Sequence, residues 1–123
     1  MQTRMFGDDR STIEVGVTGE DRAVAHLARC GYRIVERNYR CKLGELDVVA
    51  RDHGVLVFVE VRSRRSADRG SALHAVNWKK RRKVARVAMQ YLAYRQPVFD
   101  EARFDVVAIT GGELVHIKDA WRL

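Results

Sequence analysis

Two acids stand in this chain where apolar residues belong. The run Val55-Leu56-Val57-Phe58-Val59-Glu60-Val61 has no polar member except Glu60. That is the composition of a strand covered on both faces, and a carboxylate placed there must be paired or metal-bound. Just upstream, Gly44-Glu45-Leu46-Asp47-Val48-Val49-Ala50 reads as a partner strand, with Arg51-Asp52-His53-Gly54 as the turn region. With His53-Gly54 as a two-residue hairpin loop, Gly54 supplying the positive φ, Asp52 faces Val55 and Asp47 falls directly opposite Glu60. Residues paired in this way share a face with Cβ atoms roughly 4.5–5.5 Å apart. Like charges at that spacing repel unless something positive lies between them, and a divalent cation answers the need. Arg62 projects from the same face as Glu60 and offers the alternative, a structural ion pair that neutralises the acids without metal. The count depends on the loop, because one residue more or fewer sends Asp47 and Glu60 to opposite faces.

The elements that must position these groups can be read from periodicity. A helix is expected from about Thr18 to Cys30, stopped by Gly31, with Ala23, Val24, Leu27 and Cys30 inward. Glu20 lies one turn before Val24 on the same side, so a third acid points toward the sheet; the alternative is an acid that merely complements the helix dipole. Tyr32 to Tyr39 reads as a first strand, before the hairpin that carries Asp47 and Glu60. Ser63 to Ser71 is a basic loop containing Arg64, Arg65 and Arg69. A long helix from about Ala72 to Arg95 buries Val84, Val87, Ala88, Tyr91 and Leu92, and Lys80 shares that stripe. Arg103 to Ile109 is a strand, Gly111-Gly112 a turn, and Glu113 to Ile117 a short final strand. The expected fold is α/β in the order α-β-β-β-α-β-β, a central mixed sheet flanked by helices. The first three strands are antiparallel, and the long helix crosses to a parallel strand. Residues 1–13 are expected to be a flexible tail and 14–123 a single domain.

Lys and Arg number 23 against 16 Asp and Glu, a formal charge of +7 over 123 residues, which favours a polyanionic partner, nucleic acid first. Lys79-Lys80-Arg81-Arg82-Lys83, continued by Arg86, is either the solvated face of a helix or, with Arg64, Arg65 and Arg69, a phosphate-binding rim beside the acids. Trp78 either stacks on a base or is buried at the helix start. Cys30 and Cys41 match neither a zinc pattern nor a disulfide framework. His26, His53, His74 and His116 show no ligand spacing and read as structural or surface residues. Asp105, alternating with apolar neighbours, reads as a structural acid pairing with Arg103 or a helix. With no signal-peptide core and no apolar run of membrane-spanning length, a soluble, cytoplasmic protein is expected. Phosphate-loop, nucleophile-elbow and dinucleotide fingerprints are missing from the sequence.

Taken together, Thr18-Gly19-Glu20, Asn38-Tyr39-Arg40, Gly44-Glu45-Leu46-Asp47, Phe58-Val59-Glu60-Val61-Arg62-Ser63-Arg64, Lys80, Arg103-Phe104-Asp105-Val106-Val107-Ala108 and Ile117-Lys118-Asp119-Ala120-Trp121 resemble the bacterial YraN-like family of predicted endonucleases, which has the restriction-endonuclease-like fold. The resemblance runs from Gly16 to Trp121. It implies a nuclease core in which an Asp and the Glu of an E-x-K element bind Mg²⁺ or Mn²⁺ and a Lys assists the attacking water. Asp47 and Glu60 match those acids, with the Val61 carbonyl as a further ligand. Glu20 matches the helix acid that archaeal Holliday-junction resolvases of this fold place near the metal. Arg62 departs from the motif. A guanidinium stays protonated and cannot act as a general base, so Arg62 is left to orient water or stabilise charge, with Lys80 as a second cation. The implied activity is metal-dependent hydrolysis of DNA phosphodiesters, of branched or structured substrates, with no small-molecule cofactor and no membrane. Resolvases of this fold act as dimers because a junction presents two symmetric strands, which adds a homodimer to the candidate partners. The alternative is a catalytically silent nuclease fold that binds DNA or assists recombination proteins.

Overall fold

The computed structural model describes residues 18–64 and 78–122. The expected N-terminal tail, Arg65, Arg69, His74, the start of the long helix at 72–77 and the side chains of Arg64 and Trp78 lie outside the described residues. The elements are α1 (Gly19–Arg29), β1 (Arg33–Cys41), β2 (Gly44–Asp52), β3 (Val55–Arg64), α2 (Trp78–Arg95), β4 (Glu101–Thr110) and β5 (Glu113–Trp121). They form one five-stranded sheet in the order β1-β2-β3-β4-β5, with β3 and β4 parallel and the other pairs antiparallel. This is the expected α-β-β-β-α-β-β layout.

Local chemistry explains the helix ends. Thr18 caps α1, its hydroxyl accepting from the Asp21 N–H while the Asp21 carboxylate accepts from the Thr18 N–H, each at 3.1 Å, a reciprocal capping box. Cys30 is the C-cap and is exposed, so the inward stripe of α1 is Ala23, Val24 and Leu27 without it. α2 ends at Arg95, followed by Gln96 at φ 49° and then Pro97, which cannot continue a helix.

Two cores sandwich the sheet. α2 packs Val84, Val87, Ala88 and Tyr91 against Val49, Leu56, Phe58 and Phe104. α1 packs Ala23 and Leu27 against Val48, Ala50, Val57, Val59, Val107 and Ile109. Strand alternation therefore assigns odd positions of β3 to the α1 face and even positions, Glu60 and Arg62 among them, to the α2 face.

One turn and one strand end differ from expectation. The positive φ of the β2–β3 hairpin falls on His53, at 60°, and not on Gly54. Gly54 instead gives room to the exposed Asp100 carboxylate, which a Cβ there would displace, beside the Asp100 N–H that donates to the Gly54 carbonyl at 3.0 Å. β5 runs four residues past the expected end at Ile117. A register shift lies between Phe104 and Val106, and Asp119, at φ 55°, donates its N–H to Asp105 Oδ1 at 2.9 Å. The bulge lets the strand continue because a buried carboxylate takes the amide that the ladder loses.

Among the described residues no helix is long and apolar enough to cross a membrane.

Candidate functional site

The β2–β3 ladder runs from Asp52↔Val55 to Val48↔Val59 and stops there, although both strands continue. From this point Leu46, Glu45 and Gly44 pair with β1 while β3 stays paired with β4. The strands part, and the next position on each side is Asp47 and Glu60, the register expected from the hairpin count. Asp47 substitutes for the missing ladder bond, its Oδ2 accepting the Val61 N–H at 2.8 Å. A residue in an extended strand sends its N–H and C=O to the same side, so the Val61 carbonyl faces the same opening.

The cavity at this fork has a volume of about 700 Å³, and the acids on its wall are Glu45, Asp47 and Glu60, against five cations, Arg40, Lys42, Arg62, Lys80 and Lys83. The surplus of cations suits an anion, and the paired acids suit a divalent ion. Glu60 is 4% exposed. Burial, then the hydrogen bond and charge of Asp47, push its carboxyl far above the usual range, to about 9, and the Arg62 charge offsets only part of this. Arg62 Nη2 lies 3.5 Å and Lys80 Nζ 3.7 Å from the same oxygen, Glu60 Oε2, so two cations from different elements converge on one carboxylate. Arg62 Nε is buried with no hydrogen-bond partner.

α2 supplies the second wall. Lys80, Lys83, Val84 and Val87 all line the cavity, at the i, i+3, i+4, i+7 spacing of one helix face. The close approach depends on Gly44: at φ 144° it holds a conformation side chains disfavour, and a Cβ would lie 3.3 Å from Val87 and 3.4 Å from Lys83. A neighbouring hollow of about 370 Å³ is lined by Leu43, Lys79, Arg82, Lys83 and Arg86. Because it shares Leu43 and Lys83 with the fork, the two form a continuous basic surface.

Asp47, Glu60, Val61, Arg62 and Lys80 are thus brought together, with Lys83 at the rim and Lys79 and Arg82 beside it. Two sequence-derived candidates sit elsewhere. Glu20 belongs to α1, which covers the opposite face of the sheet, and it does not line the cavity. Its Oε1 accepts from Arg37 Nε at 3.0 Å, Arg37 Nη2 at 2.7 Å and Asn38 Nδ2 at 3.1 Å. Arg81 leaves the basic row, its guanidinium 5.2 Å from the Trp121 ring centroid, a cation–π packing arrangement. Conversely, Arg40 and Lys42 on the cavity wall were missed. Their signal was two basic residues just before the Gly44-Glu45-Leu46-Asp47 stretch.

Asp105 is the structural acid expected. Wholly buried, it accepts from Arg103 Nε at 3.0 Å, Tyr32 Oη at 2.7 Å, His116 Nε2 at 2.9 Å and the Asp119 N–H. Burial alone would raise its carboxyl, but these donors outweigh burial and hold it down at about 2. Arg103 also reaches Asp52 Oδ2 at 2.9 Å, tying β4 to the end of β2.

The model of the Uncharacterised protein family UPF0102 matches residues 19–109, a span that includes both acids of the fork and α2. A UPF0102 protein of Geobacter sulfurreducens is 45% identical over 114 residues, covering 89% of this chain and 89% of that protein. One from Persephonella marina is 43% identical over 108 residues, covering 88% and 93% respectively. A third, from Geotalea uraniireducens, is 42% identical over 125 residues, 97% of this chain and 98% of its own length. With the family model matched across most of the chain and relatives aligned nearly end to end, this chain belongs to the protein family UPF0102.

Proposed function

We propose that this protein is a metal-dependent endodeoxyribonuclease of the YraN-like kind, hydrolysing phosphodiester bonds of branched or otherwise structured DNA. The observation that carries this reading is the meeting of Asp47 and Glu60 where β2 and β3 part, under a basic rim. Asp47, Glu60 and the Val61 carbonyl would hold the ion, and hard oxygen donors of this kind suit Mg²⁺ or Mn²⁺. When bound, such an ion supplies a water of lowered pKa and neutralises charge on a phosphate oxygen. Arg62 and Lys80, both directed at Glu60 Oε2, stabilise the negative charge that accumulates as the bond breaks. Lys80 presents from α2 the amine that an E-x-K strand would carry at position 62. Arg40, Lys42, Lys79, Arg82, Lys83 and Arg86 hold the DNA backbone on either side. Incubating the protein with branched, nicked and linear duplexes in Mg²⁺ or Mn²⁺ tests this. Cleavage by wild type that disappears in Asp47→Ala is expected; no cleavage of any substrate, or equal cleavage by the variant, overturns it.

A second reading, a catalytically silent DNA-binding or recombination accessory protein, is favoured by Arg62 standing beside Glu60 where a lysine is expected. It predicts salt-sensitive DNA association that needs no divalent ion and survives Asp47→Asn undiminished.

Arg62 also allows a test of the electrostatics. Arg62→Ala removes a counter-charge from the acid pair, so Mg²⁺ should raise the melting temperature of the variant more than that of wild type. Arg62→Lys keeps the charge and should leave the Mg²⁺ shift near the wild-type value. Equal shifts in Arg62→Ala and wild type would mean that Arg62 does not share an electrostatic site with the acids.

A further inference from the structure

On the sheet face that α1 covers, away from the acidic fork, three metal-binding side chains converge. His26 and Cys30 lie four residues apart at the end of α1, and His116 stands opposite Val107 in β5. His26 Nε2 is 3.0 Å from His116 Nδ1, Cys30 Sγ is 3.5 Å from His26 Nε2, and one ligand atom from each of the three residues lies within 4.8 Å of the others. In a tetrahedral zinc site the usual bond lengths put two ligand nitrogens about 3.3 Å apart and a nitrogen and sulfur about 3.6 Å apart. Two edges of the triangle are therefore within about 0.3 Å of metal-bound spacing.

The histidine tautomer is also prepared. Asp105 already receives donors from Arg103, Tyr32 and the Asp119 N–H, so its carboxylate is an acceptor and His116 Nε2–H must donate to it, at 2.9 Å. In the neutral ring this leaves the lone pair of His116 Nδ1 directed at His26. A carboxylate that orients a histidine from behind is the usual outer partner of a metal-bound imidazole. In a hydrogen-bonded histidine pair with His26 Nε2–H donating to His116 Nδ1, His26 Nε2 has no lone pair to accept the Cys30 thiol, and the sulfur is left only as a weak acceptor.

We propose that His26, Cys30 and His116 bind one zinc-class divalent ion, pinning the last turn of α1 to β5. Cys30 is exposed, so the fourth position opens to solvent and takes a water. Imidazole and thiolate donors select zinc, cobalt or nickel over magnesium, which makes this site chemically distinct from the oxygen-donor fork and independent of the nuclease reading. The ion joins elements that are far apart in sequence, and one that binds the folded state alone raises stability with the logarithm of its free concentration over its dissociation constant.

Co²⁺ titration of the reduced, full-length protein in excess Mg²⁺ tests the assignment. A stoichiometry of one Co²⁺ per chain, a thiolate-to-Co²⁺ charge-transfer band in the near ultraviolet, displacement by Zn²⁺ and a Zn²⁺-dependent rise in melting temperature are expected. Cys30→Ala and His26→Gln alter groups at the surface end of the cluster, and circular dichroism checks that both variants fold. Each should weaken Co²⁺ binding by about 100-fold or more, beyond the loss of an outer partner, and Cys30→Ala should remove the charge-transfer band while Cys41→Ala keeps it. A wild-type protein without the band, or a band that persists in Cys30→Ala or vanishes in Cys41→Ala, overturns the proposal.

Discussion

Glu60→Gln is expected to abolish metal-dependent cleavage while making the metal-free protein more stable at neutral pH. The carboxyl it replaces is buried, faces Asp47 and titrates near 9 when no metal is bound. A folded-state value above the unfolded one means that the folded protein holds the proton more tightly. Stability is then greatest below the ordinary glutamate range and declines as pH rises from about 4.5 toward 9. At pH 7 the penalty is on the order of 3 kcal/mol. Glutamine has the same shape and no charge, so it removes the penalty, and the melting temperature of the metal-free variant should rise at pH 7 and lose its dependence between pH 5 and 9. The same change deletes a hard anionic donor. Several kcal/mol of transition-state stabilisation would go with it, or about 1000-fold in rate. Thermal melts across pH and a single-turnover cleavage assay check the two halves separately. A variant that is no more stable than wild type at pH 7 would show that Glu60 is ionised and compensated in the fold. This trade of stability for an acidic cluster is what a functional site requires and a structural ion pair does not.

Asp105→Ala should be the most damaging single substitution in the described fold. It would leave Tyr32, His116, the Asp119 amide and the Nε of the 8%-exposed Arg103 around an empty acceptor, with the Asp52 carboxylate, 2.9 Å from Arg103 Nη2, as the counter-charge that remains. Breaking a buried pair by removing one partner costs about 3–5 kcal/mol when the remaining charge is uncompensated, and because Asp52 still pairs with Arg103 the loss is expected at the lower end, about 3 kcal/mol. Asp105→Asn keeps the volume and should recover part of the loss, though it cannot accept from every donor. The acid limb of the stability profile follows from the same residue. Its folded value of about 2 lies below the ordinary aspartate value of 3.8. The stabilisation is therefore complete above about pH 4 and is lost as pH falls toward 2, amounting to about 2 kcal/mol. Denaturant melts at pH 7 and pH 2.5 measure both effects. An Asp105→Ala protein within about 1 kcal/mol of wild type at pH 7 would mean that the network adds nothing beyond its packing.

The local pattern of residues was enough to place the acidic fork. Glu60 in an otherwise apolar strand marks itself, and a hairpin with a two-residue loop leaves no freedom in its count, so Asp47 had to fall opposite. Helix caps, the buried stripe of α2 and the parallel crossover are likewise set by short-range periodicity and connection length. What lay beyond the sequence was everything decided by packing between distant segments. Glu20 lies on the correct side of its own helix, yet which face of the sheet that helix covers depends on how α1 docks against β3 and β4. Arg81 and Lys80 are neighbours in one basic run, but one packs over Trp121 of β5 and the other reaches Glu60, a division made by the rotation of α2 on the sheet. The four histidines have no ligand spacing along the chain, and His26 meets His116 only because β5 returns alongside β4 beneath the end of α1. Periodicity tells which face of an element turns inward, whereas the identity of the groups that meet there is settled by docking, through contacts ninety residues apart in the chain that no local pattern encodes.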